Sequence, residues 1–115
     1  MRDFMNRVLE FDKVHKLDNN SADFENLVFQ ALALSGEVGE AQNIIKKLWY
    51  SKHNPSNNIS DNIKLIELET NLGFELVDIY IYLVKLIYVY EQLYNRYFEC
   101  LINAKYEILE KRWSK

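Results

Sequence analysis

Along this chain apolar residues return at steps of three and four, and nowhere do they alternate strictly with polar ones, so the pattern predicts helices throughout. A first helix is predicted from roughly Asp3 to Lys16, on Phe4, Val8, Phe11 and Val14/His15, before the polar connector Leu17–Asn20. The second is predicted from Ala22 to Tyr50, with Phe24, Leu27/Val28, Ala31, Leu34, Val38, Ala41, Ile45 and Leu48 as its stripe. Asn20 or Ser21 can cap it, and Asp23 and Glu25 suit its first turn. Ser51–Asn62, with the single proline Pro55 and a run of asparagine and serine, predicts a loop.

A third helix is predicted to begin near Asp61, capped by Asn58 or Ser60, on Leu65, Leu68, Leu72, Leu76, Ile79, Leu83 and Leu86. Gly73 is placed to bend or break it. From Leu76 to Tyr90 it is apolar on nearly every side, more than one small bundle covers, which predicts self-association through this helix. Glu91–Lys115 continues as helix on Leu93, Tyr97, Leu101, Ala104, Ile108 and Leu109. Its joint with the third helix is expected near Tyr90–Gln92, one unbroken helix being the alternative. The expectation is one all-α domain, a four- to five-helix bundle over residues 1–115, oligomeric as a homodimer or homotetramer.

Composition narrows the classes. The apolar fraction is 49%, ample for a core in a 115-residue domain. A net charge of −3 gives no broad basic surface for a nucleic-acid backbone, so no nucleic-acid partner is expected. The lone Cys100 has no internal disulfide partner, which fits a reducing, cytoplasmic setting. Acids in MRDFMNRVLEFDK stand where a secretory signal would be apolar. The run Leu76–Tyr90 is shorter than a membrane span and contains Asp78 and Lys85, so it reads as a buried helix and no membrane is expected.

The chemistry is concentrated in two acid pairs, each with its members three residues apart: Glu37 with Glu40, and Glu75 with Asp78. Three apart on a helix is one face. Both pairs lie in apolar sequence, and Gly36 and Gly39 flank the first, a cost to helix stability that suggests something approaches the backbone there, either a neighbouring helix or a ligand. Side by side, such helices would gather four carboxylates, whose mutual repulsion is relieved by protonation or by a divalent cation. Oxygen-only ligands point to Mg²⁺ or Mn²⁺ rather than zinc, and neither His15 nor His53 stands in the Glu-x-x-His pairs of a di-iron bundle. Mg²⁺ bound to carboxylates favours phosphoanhydride or phosphate-ester hydrolysis. The plain alternative is a pair of solvated helix faces with no ion.

Around the acids, Lys47 follows Glu40 by seven residues and Lys85 follows Asp78 by seven, positions from which either could meet a phosphate tail or lay its stem on the core. Tyr82 or Trp49 could stack on a base, and Gln30 could hydrogen-bond a base edge. Tyr80, Tyr88, Tyr90, Tyr94 and Tyr97 read better as interface residues. His53 in the loop, and His15 with Asp12 as a surface pair, read as structural.

The signature ALALSGEVGEAQNIIKK followed by ELVDIYIYL resembles the all-α MazG-like nucleotide pyrophosphohydrolases, whose pattern is E-x-x-E on one helix and E-x-x-D on the next, in the phage-type variant L-x-G-E-x-G-E. The resemblance spans about Leu27 to Leu86. It implies a helical-bundle oligomer that uses Mg²⁺ to cleave nucleoside triphosphates to monophosphate and pyrophosphate, with Glu37, Glu40, Glu75 and Asp78 as catalytic metal ligands. Departures are a long gap between the acid pairs, Val77 where a glycine is common, and a reduced C-terminal pattern: Lys105, Ile108, Leu109, Arg112 and Trp113 are its closest match, leaving Arg112 as the remaining phosphate contact. The competing expectation is a relative without turnover, a nucleotide-binding regulator or oligomeric scaffold.

Overall fold

A computed structural model describes residues 1–17 and 21–114, so most of the Leu17–Asn20 connector, and the cap expected of Asn20, lie outside the described residues. Four helices and no strand occur among them: α1 (Arg2–Val14), α2 (Phe24–His53), α3 (Ile59–Tyr94) and α4 (Phe98–Trp113). No described helix is long and apolar enough to cross a membrane.

Local chemistry sets the boundaries. Asp23, rather than Ser21, is the N-cap of α2, its carboxylate accepting the Asn26 N–H at 2.7 Å, while Ser21 takes the Asn26 side-chain amide on its carbonyl. α2 runs three residues past the expected end because His53 Nδ1 lies 2.9 Å from the Trp49 carbonyl and its ring packs on the Trp49 indole, 4.2 Å between centroids. Asn58 caps α3, accepting from Ser60 N–H at 2.8 Å. Gly73 leaves α3 unbroken. The joint with α4 falls at Asn95, whose left-handed backbone (φ 54°) ends α3, a conformation asparagine tolerates better than most residues.

α2 and α3 form a long antiparallel hairpin, and α1 packs on the opposite side of α3. Glu75 faces α2, whereas Val84 and Ile87 meet Met5 and Val8 of α1 in the central apolar cluster, with Phe4, Ile81, Tyr88 and Phe98 around it. Phe4 also stacks on Tyr80, 4.4 Å between centroids, so Tyr80 and Tyr88 are partly accounted for within the chain. Two charged ties fasten this sandwich. Lys85 Nζ meets Asp12 at 2.7 Å with both side chains buried, which makes Asp12 an interior anchor rather than half of a surface pair with His15. Glu91, 5% exposed, receives both arms of the Arg2 guanidinium at 2.9 and 2.8 Å and the Phe98 N–H at 2.7 Å.

α4 does not join the packing. It has no buried residue, and among the described residues it meets the remainder at its base, through Phe98 and the Glu99–Arg2 ion pair. The chain is correspondingly spread out, with a radius of gyration of 18.7 Å. A compact chain of this length would have about 13 Å. The bundle within one chain is therefore three helices with a fourth standing off.

Candidate metal centre

The hairpin register decides what the acids meet. Glu37 and Glu40, one turn apart on α2, come opposite Glu75 on α3, and each of the three carboxylates offers an oxygen within 4.8 Å of the others. Asp78 lies one turn further along α3, half-buried and outside this mutual cluster. Three of the four predicted carboxylates thus converge.

Their environment is unbalanced. Glu37 and Glu75 are half-buried, and the Oε2 atom of each is shielded from solvent with no hydrogen-bond donor among the described residues. The proximity of Glu37, then desolvation, then Glu40 push the Glu75 carboxyl up to about 7. A proton held there is one answer to the crowding. A hard divalent cation is the other, and the all-oxygen donor set and two solvent-shielded lone oxygens fit that ion. Glu37, Glu40 and Glu75 would hold it.

Beyond the cluster, towards the hairpin turn, α2 and α3 open into a cleft of about 530 Å³ lined by Lys47, Tyr50, Asn54, Asn62, Lys64 and Leu68 among others. Lys47 therefore reaches a cavity on the acid-bearing hairpin, about 10 Å along α2 from Glu40. Lys64 and the two asparagines were not singled out by the sequence pattern. The polar composition of the loop was the only signal for the asparagines, and Lys64, in the first turns of α3, had none.

The other expected contacts are distributed unevenly. Tyr82 is half-buried, and the Lys85 ammonium sits 5.3 Å from its ring centroid. Lys85 is held by Asp12, so its charge is neutralised away from the acids. Gln30 is fully buried; its amide nitrogen donates to Asn26 Oδ1 at 3.4 Å and its Oε1 has no partner among the described residues. Trp49 is exposed against His53. Arg112, in the last turn of the outlying α4, is not packed along α2 or α3. Gly36 and Gly39, where a close neighbour was expected, have open space around the position a Cβ would take.

No family model, curated protein or solved structure matches this chain.

Proposed function

We propose that this protein is a Mg²⁺-dependent nucleoside triphosphate pyrophosphohydrolase, releasing pyrophosphate and leaving the monophosphate, with Mn²⁺ as a competent substitute. The observation that carries the reading is the convergence of Glu37, Glu40 and Glu75 around two solvent-shielded carboxylate oxygens that lack donors. The resemblance to MazG-like pyrophosphohydrolases over the same acids supports it.

Bound there, the cation would supply charge for the phosphate oxygens and would acidify a water. Glu37 and Glu75 are the anchoring ligands, because their half-buried carboxylates have little else to bind. Glu40, exposed at the edge, faces the solvent from which the attacking water arrives. Lys47, with Lys64 across the same cleft, offers positive charge to the nucleotide's phosphates, and Tyr50 offers a ring for its base. Asp78, one turn from Glu75, completes the acid set from α3.

Two observations favour a second reading, a nucleotide-binding regulator or scaffold without turnover: Asp12 neutralises Lys85, and Arg112 stands apart on α4. A panel of nucleoside and deoxynucleoside triphosphates, incubated with and without Mg²⁺ and resolved by chromatography, separates the two. Mg²⁺-dependent monophosphate and pyrophosphate that vanish in Glu75→Gln support the enzyme. Binding with no turnover across the panel supports the regulator.

The working unit is a homo-oligomer, dimer or tetramer. The chain exposes 9017 Å². A folded monomer of this mass would expose about 6,600 Å².

A further inference from the structure

α4 is aimed with care and then left uncovered. Its base is fixed by Glu91, which accepts the Phe98 N–H and the Arg2 guanidinium, and by the Arg2–Glu99 pair. Beyond that base, Leu101, Ile102, Ile108, Leu109 and Trp113 line one side of the helix, Leu101 with Ile108 and Ile102 with Leu109 repeating after seven residues. Leu101 and Leu109 are only half-buried, and Ile102, Ile108 and Trp113 are exposed. A lone 16-residue helix is marginal in water and gains most of its stability from tertiary packing.

A second surface has the opposite deficit. On the side of α2 turned away from α3, Phe29 and Leu32 are exposed, and Gly36 and Gly39 continue the same face. Each glycine weakens a helix interior by up to about 1 kcal/mol, yet among the described residues nothing lies within 4 Å of where a Cβ would stand on either one. A face of this kind admits another helix closely. The charges agree: Lys105 and Arg112 lie within the α4 stripe, while Glu25 lies on the α2 face.

We infer that α4 is an exchanged arm, which lays its apolar stripe on the outward face of α2 in a second copy and receives that copy's arm in return. The inference rests on the homo-oligomeric reading above and names the element that makes the contact. Two reciprocal arms satisfy a closed two-fold arrangement. The surplus surface of about 2,400 Å² per chain is on the scale of an obligate interface and beyond what a small transient contact would cover.

Light scattering across a concentration series tests this on the full chain, together with Leu101→Asp and Ile108→Asp in α4 and Leu32→Asp on α2. The expected result is a particle of at least twice the 13.8 kDa chain mass. Each substitution should raise its dissociation constant about thirtyfold or more, the loss typical of a central interface residue, with the α1–α3 thermal transition retained. Mixing chains that carry only Leu32→Cys with chains that carry only Leu101→Cys (Cys100→Ser in both) and adding a flexible bismaleimide should link two copies. A monomer at high concentration overturns both the oligomeric reading and the exchange. An oligomer indifferent to all three aspartates, or mixed chains that the bismaleimide does not link, overturns the exchange alone.

Discussion

Glu91 and Glu75 lie on the same helix, sixteen residues apart, and their carboxylates meet opposite fates. Glu91 is closed in by donors: both guanidinium arms of Arg2 and the first free N–H of α4 hold its charge, and its carboxyl sits below the usual range chiefly because of Arg2. Glu75 is closed in by acceptors, and Glu37 above all raises its carboxyl to about 7. A carboxylate surrounded by donors is finished. One surrounded by other carboxylates still needs a positive charge, and that difference separates a structural anchor from a candidate ligand site.

The sharpest way to break the contrast is Glu75→Gln. The change keeps shape and removes charge, so pyrophosphate release should fall by about a thousandfold, in the range lost when one essential electrostatic group is removed. Without metal, the same variant should melt at a higher temperature than the parent at pH 8, because a repelling charge is gone. A lower melting temperature would mean that Glu75 is an ordinary structural acid.

Glu91→Ala should behave in the reverse manner. It strands a half-exposed Arg2 and uncaps α4, costing about 2–4 kcal/mol and lowering the midpoint by roughly 10 °C, while Mg²⁺ or Mn²⁺ titrations stay at parental affinity. Calorimetry of folding and of metal binding on one preparation reads both halves.

The two sites also divide the pH axis. Glu75, raised from an ordinary 4.5 to about 7, favours the folded state fully below about pH 4.5, and that contribution is lost as pH rises through 7. Glu91, lowered from its ordinary value, contributes above about pH 4.5 and fails as pH falls through its depressed value. The metal-free melting temperature should therefore fall between pH 5 and pH 8. The increment from added Mn²⁺ should grow over the same interval, as the cation displaces the proton. Thermal melts at three pH values, with and without metal, show whether the two slopes oppose.

Much of this contrast was legible in the residue order. Steps of three and four marked every helix, and the acid spacing placed Glu37, Glu40 and Glu75 on facing sides. What the pattern could not convey was pairing across distance. Asp12 looked like a surface acid because its partner Lys85 lies on another helix, and Lys85 looked free for the same reason. Gln30 was polar and so seemed available, although α2's inward face buries it completely. The glycines were read as a sign of close approach, which none of the described residues supplies. Sequence periodicity says which side of a helix turns inward, but not what arrives from elsewhere to cover the other.

Asp78 offers the smallest effect and the finest discrimination. Symmetry with the first acid pair makes it an equal ligand, whereas the structure leaves it half-buried, one turn from a three-acid cluster. A group at that remove acts by orienting Glu75 or by holding water beside the ion, and such partners are worth about ten- to a hundredfold in affinity or activity. Asp78→Asn should accordingly weaken Mn²⁺ binding by about tenfold and keep measurable turnover, against near-complete loss in Glu75→Gln. Equal losses in the two variants would show that Asp78 swings into the coordination sphere once the cation is bound, making the cluster four acids rather than three.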